Sequence, residues 1–161
     1  MTNIVYLSQF KDTSGYASAA RSYLKALDSH LDSFDNNYNL RAHHLKIESV
    51  QTITEEENDL IDRLSFTGEE EVDEFIRNNE FLLLWHQPPP MITLTDQYYQ
   101  QDTGWRIAKK LIDNCKRNIN ITVWEADKIP ESWFSVYDRY QTKDVIVPCE
   151  WNRNTFQEQT T

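Results

Sequence analysis

The sequence predicts an α/β domain: a Rossmann-like three-layer unit with a mostly parallel sheet flanked by helices. Three observations predict it. Short apolar runs alternate along the chain with segments of helical periodicity, the order expected of strands joined by crossover helices. The runs Ile4-Val-Tyr-Leu7 and Phe81-Leu-Leu-Leu-Trp85 are apolar almost throughout, as strands covered on both faces are. The polar residues with chemical potential fall just after such runs, where open α/β sheets place their ligands.

The first strand spans residues 3–8. Residues 9–15 form a loop with Asp12, Thr13 and Ser14, all good helix caps. From Tyr16 the apolar positions Ala19, Ala20, Tyr23, Leu24, Leu27 and Leu31 follow helical spacing. Residues 32–39 are polar and turn-rich, and 40–47 suit a second strand. Thr54 followed three residues later by Glu57 is the signature of a capping box, and Leu60, Ile61 and Leu64 continue that helix. A further helix covers 69–78, with Val72, Phe75 and Ile76 inward. The strand 81–85 runs into His86, Gln87 and three prolines, which can continue neither ladder nor helix. Residues 91–103 read as loop with a short helical turn, 105–115 as helix and 118–124 as strand. Pro130 suits a first helical position, and Trp133, Val136, Tyr137 and Tyr140 give that helix one apolar side. A short strand at 144–147 leads through Pro148 to a last turn near Trp151 and Asn152.

The 161 residues suffice for one domain with its own core, expected over 1–161. No apolar run approaches membrane-span length, and the start lacks the pattern of a signal peptide. Cys115 and Cys149 are too few for a disulfide scaffold and imply reduced thiols and a cytoplasmic setting. No His/Cys group has metal-ligand spacing, so no metal and no cofactor are expected. The net charge of −10 is local: residues 55–80 hold eleven acids and two arginines, a net of −9. This stretch reads as a solvated helical face. Without a dense basic run, nucleic acid is not an expected partner.

Four loops carry the candidate chemistry. Ser14, Gly15 and Tyr16 open the first helix, where free N–H groups and the helix dipole suit an anion; a plain turn is the alternative. The three-glycine dinucleotide fingerprint and the Gly-Lys-Ser/Thr phosphate loop are both absent. His86 ends a buried strand and suits acid–base work or a substrate hydroxyl, or else a structural bond to the loop. Glu125 and Asp127 suit sugar hydroxyls, base catalysis or a cation, or else a helix cap or a pair with Lys128. Of the two, Glu125 is the functional candidate and Asp127 fits a turn better. No nucleophile elbow is present, which places a hydrolase last. The many aromatics suit sugar stacking, though Trp85, Trp105 and Trp133 lie on core stripes.

Several segments read together: Ile4-Val-Tyr-Leu-Ser8, Ser14-Gly-Tyr-Ala-Ser-Ala-Ala-Arg21, Leu24-Lys-Ala-Leu27, Trp85-His-Gln-Pro-Pro89, Val123-Trp-Glu-Ala-Asp-Lys-Ile-Pro130 with Trp133, and Asp144-Val-Ile-Val-Pro-Cys-Glu-Trp-Asn152. In this order they resemble the N-terminal, acceptor-side domain of GT-B fold glycosyltransferases, family-4-like. The resemblance implies catalytic roles for His86 near a donor sugar and Glu125 near the acceptor. It implies substrate contacts from Ser14, Gly15, Tyr16 and Asp127. The partners implied are a nucleotide-sugar donor and a glycan or other acceptor, once a C-terminal nucleotide-sugar domain complements the chain. That domain is missing from the 161 residues, and the loop has one glycine where many relatives have two. Transfer by this chain alone is therefore expected to be negligible, since one wall cannot orient both substrates. The alternative is a non-enzymatic carbohydrate- or protein-binding module. A homo-oligomer or a partner subunit is compatible with either.

Overall fold

The computed structural model describes residues 1–31, 37–46 and 53–160. Five strands, β1 (Thr2–Ser8), β2 (Tyr38–His44), β3 (Phe81–His86), β4 (Arg117–Ile121) and β5 (Asp144–Ile146), form one sheet in the order β2-β1-β3-β4-β5. Every pairing is parallel. All strand ends that lead into functional loops therefore meet at one edge. Seven α-helices are present among the described residues: α1 (Gly15–Leu31), α2 (Glu55–Leu64), α3 (Glu69–Asn78), α4 (Thr93–Tyr98), α5 (Thr103–Asn114), α6 (Glu131–Arg139) and α7 (Glu150–Thr160).

The layers follow from strand alternation. Successive side chains point to opposite faces. Val5, Leu7, Leu83 and Trp85 pack under α3, α5, α6 and α7, against Val72, Phe75, Leu111, Trp133 and Phe156. Tyr6, Leu40 and Ala42 pack on the other face, under α1 and α2, against Ala20, Leu24, Ile61 and Leu64. Leu24 is fully buried, and covering such a side chain contributes about 1.5–3 kcal/mol. The Rossmann-like three-layer class read from the sequence is the observed one. Among the described residues, no helix is long and apolar enough to cross a membrane.

Local differences from the sequence reading have identifiable causes. Residues 89–98 are helical rather than loop. Pro88 is extended, and a 3₁₀ turn over Pro89–Ile92, with proline in its first turn, feeds directly into α4. Strand β4 ends at Ile121, earlier than expected. Beyond it, the Tyr16 hydroxyl bonds both the N–H and the C=O of Val123, and the Asn152 side chain bonds both groups of Trp124. Those backbone groups are thus satisfied without a ladder. Pro130 caps α6 instead of opening it, and the expected last turn is an eleven-residue helix, α7. Thr54 forms the full capping box with Glu57. Ile47 of the expected second strand, like positions 32–36 of the polar turn, lies outside the described residues.

Candidate functional site at the strand ends

The strand order reverses direction between β1 and β3, so the chain leaves these neighbours toward opposite faces of the sheet. Such a switch point opens a crevice beyond the strand ends. The loop after β1 crosses it and enters α1. Ser14 starts the helix: its hydroxyl accepts from the Ala17 N–H at 3.2 Å and its carbonyl from Ser18 at 3.1 Å. Among the described residues, the first-turn amides of Gly15 and Tyr16 find no acceptor and are left to take an outside one. A Cβ at Gly15 would meet nothing within 4 Å, so this turn is open to an approaching group. Arg21 holds the loop from below, donating to the carbonyls of Phe10 at 2.7 Å and Asp12 at 3.2 Å.

His86, the last residue of β3, is buried in a cage of tyrosines. Its Nδ1 lies 2.7 Å from the Tyr6 hydroxyl. The ring is near-parallel to those of Tyr6 and Tyr23, with centroids 6.1 and 5.4 Å away, and Tyr16 is edge-on at 5.6 Å. The backbone is fixed as well, because the Ser8 hydroxyl donates to the His86 carbonyl at 2.9 Å. Burial alone pulls the imidazole down to about 4, so the ring is neutral at neutral pH. Burial, helped by the nearby Tyr23, pushes the Tyr6 phenol far above its ordinary value.

Tyr16 spans the crevice. From the first turn of α1 its hydroxyl reaches Thr122 Oγ1 at 3.0 Å and the Val123 carbonyl at 3.1 Å, just past the end of β4. On the opposite face, fully buried Asn120 donates to the carbonyls of Trp85 at 3.0 Å and Gln87 at 3.1 Å, and accepts from the Tyr137 hydroxyl at 2.8 Å. This network fixes the chain as it leaves β3. The Gln87 Nε2 is buried there with no hydrogen-bond partner among the described residues. A buried donor of that kind is costly unless something supplies an acceptor.

The structure thus brings Ser14, Gly15, Tyr16 and His86 into one crevice. Glu125 and Asp127 lie at the same edge, in the exposed loop after β4. Among the described residues they make no ion pair or side-chain hydrogen bond, and Asp127 does not cap α6. Sequence reasoning missed Tyr6, Gln87, Asn120 and Thr122. Tyr6 reads as one more member of an apolar run, and nothing local signals a contact across eighty residues. A groove of about 1140 Å³ lies elsewhere, between α1 and α2. Ion pairs already cross it, Lys25 with Glu56 and Arg21 with Glu57. Among the described residues no group of acids, histidines and cysteines could hold a metal ion.

No protein-family model and no curated protein matches the chain. The fold is similar to the crystal structure of a dodecameric FMN-dependent UbiX-like decarboxylase from Escherichia coli O157:H7. The TM-score is 0.57 at 9% identity, over 100% of this chain and 95% of that one. The likeness is one of fold. It corrects the glycosyltransferase reading, because the whole chain superposes on nearly the whole of a decarboxylase rather than on the acceptor side of a sugar-transfer enzyme. The nucleotide-sugar donor, the glycan acceptor and the sugar-transfer roles fall with that reading. Nothing in the comparison favours the non-enzymatic module in its place. The residues that carried the resemblance have local duties instead. Asn152 ties α7 to the Trp124 backbone, Trp124 Nε1 donates to the Lys128 carbonyl at 2.7 Å, and Trp85 is core. Any parallel α/β sheet needs apolar strands and fixed strand-end loops, so such segments mark the fold and not the chemistry.

Proposed function

We propose that this domain binds a phosphate-bearing ligand of the mononucleotide class at the β1/β3 switch point, with FMN as the first candidate. The observation that carries the reading is the meeting of a strand-order reversal with an open helix N-terminus at one crevice. Order β2-β1-β3-β4-β5 is the flavodoxin-like order, for which a switch point between β1 and β3 is the general ligand position. The fold likeness to an FMN-dependent protein supports the choice of FMN. The residues present fit such a group at two points. Ser14 and the amides of Gly15 and Tyr16 suit a phosphate. The orphaned Gln87 Nε2 suits a carbonyl acceptor such as a flavin ring offers. Bound flavin would supply electron-accepting chemistry. The chain's own residues would bind, orient and exclude water, with Tyr16 and Tyr23 packed around His86. Self-association belongs to the same proposal, since the structural neighbour is dodecameric and Ile146, at the end of the edge strand β5, and Trp151, in α7, are large exposed apolar side chains. A cytoplasmic setting, in keeping with two cysteines free of disulfide bonds, completes it.

Titration of the purified chain with FMN, followed by flavin fluorescence, tests the reading against riboflavin, which lacks the phosphate. Saturable FMN binding is expected, with riboflavin at least about tenfold weaker, a difference of about 1.4 kcal/mol. Equal affinities would remove the phosphate from the site, and no saturable binding of either would sink the proposal.

A further inference from the structure

The hydrogens of the tyrosine cage can be assigned by elimination. Tyr6 is fully buried, and its hydroxyl has one hydrogen-bond partner among the described residues, His86 Nδ1 at 2.7 Å. A phenol carries one O–H to place, and a neutral imidazole carries one N–H on either nitrogen. If Nδ1 held the ring proton and donated to Tyr6, the Tyr6 O–H would be buried with no acceptor. Leaving a buried donor unmade costs about 1–3 kcal/mol. If Tyr6 donates to Nδ1, both groups are satisfied and the ring proton sits on Nε2. Intrinsic chemistry agrees, because a phenol is the stronger donor of the pair and an imidazole nitrogen the stronger acceptor. Neighbouring rings hinder the imidazole from turning over to escape this choice, since Tyr23 lies near-parallel to it at 5.4 Å, Tyr16 edge-on at 5.6 Å, and Tyr6 meets its Nδ1 end-on through the hydroxyl.

We propose that Tyr6 is a positioning residue that locks His86 as the Nε2–H tautomer, so that His86 offers the crevice a neutral hydrogen-bond donor for a ligand oxygen. In this state His86 is not a base: its one lone pair is occupied by Tyr6. The ligand group it recognises is a carbonyl, carboxylate or phosphate oxygen rather than a hydroxyl proton awaiting abstraction. The placement of that oxygen rests on the switch-point reading, whereas the tautomer stands on the ligand-free geometry alone.

Long-range ¹H–¹⁵N correlation of the ligand-free, ¹⁵N-labelled full chain at pH 7 reads the tautomer directly. The expected pattern is an unprotonated Nδ1 and a protonated Nε2 for His86. In Tyr6→Phe the lock is gone, and a substantial Nδ1–H population should appear. A wild-type Nδ1–H pattern, or a Tyr6→Phe spectrum still wholly Nε2–H, would overturn the inference. Should Tyr6→Phe fail to fold, the wild-type pattern decides alone, together with a slowly exchanging Tyr6 hydroxyl proton showing a cross-peak to the His86 ring. Failure of FMN to bind leaves this readout untouched, so the two ideas fall separately. Where FMN does bind, the Nε2–H resonance should move while the tautomer stays.

Discussion

Gly15 shows what a single position in this site is asked to do. It opens α1, and a side chain there would meet nothing within 4 Å, so the fold itself makes no demand for glycine. The demand is set by what approaches the helix end. Gly15→Asp separates the two effects. A carboxylate in the first turn favours the helix dipole by about 0.3–1 kcal/mol, so the melting temperature should hold or rise. The same charge repels a bound phosphate, and FMN affinity should fall at least about tenfold. Unchanged affinity, measured by the same fluorescence titration, would place the phosphate elsewhere. Ser14, Gly15, Tyr16 and His86 were legible as candidates because a strand end is visible in the sequence. Their joint geometry was not, because the Tyr6–His86 and Tyr16–Thr122 contacts join positions 80 and 106 residues apart. Glu125 drew notice through its residue type and its place after a strand, yet the structure leaves it in an exposed loop without a partner among the described residues.

At the scale of elements, periodicity identified most helices and strands, and failures occurred where backbone groups found partners other than a ladder. Residues 123 and 124 look like strand, but the Tyr16 hydroxyl and the Asn152 amide take their backbone groups. Position 88 marks a break correctly, and the chain then uses the next proline to start a turn. The acids of residues 55–80 lie largely exposed, as a solvated face requires, and several of them also pair with neighbouring elements. Glu57 pairs with Arg21 at 3.2 Å and joins α2 to α1. Glu71 pairs with Arg41 at 2.7 Å and joins α3 to β2. Lys110 on α5 bridges Glu69 and Asp73 on α3 at 2.8 and 2.7 Å. Charge counting located the acids but not the partners, which come from distant elements. Exposed pairs of this kind contribute modestly, from near zero to about 1 kcal/mol each. They help to set how α2 and α3 lie against their neighbours.

For the whole molecule, three histidines link stability to pH. Burial lowers the proton affinity of His43, and burial with nearby Lys11 and His43 lowers His44 to about 4, the same value burial gives His86. Each is neutral in the fold and ordinary in the unfolded chain. Their contribution is full above pH about 6.5, where both states are neutral. For His44 and His86 it falls as pH drops toward about 4, because only the unfolded chain gains protons there in that window. For His86 alone the gap is worth on the order of 3 kcal/mol. Denaturant midpoints should therefore be level above pH 7 and decline already between pH 6.5 and 5, before carboxylates protonate. A curve flat down to pH 5 would contradict buried, neutral histidines. The α/β class was fully legible, since alternating buried runs and helical stripes leave few other topologies. The chemistry was not, because those patterns recur in proteins of unrelated activity. The central claim is that one strand-order reversal makes one ligand crevice. Backbone amide shifts of the full chain on adding FMN test it most directly. Shifts concentrated at residues 13–16 and 86–87 are expected. Shifts concentrated in the groove between α1 and α2, or at the opposite edge of the sheet near Lys116 and Arg117, would contradict it.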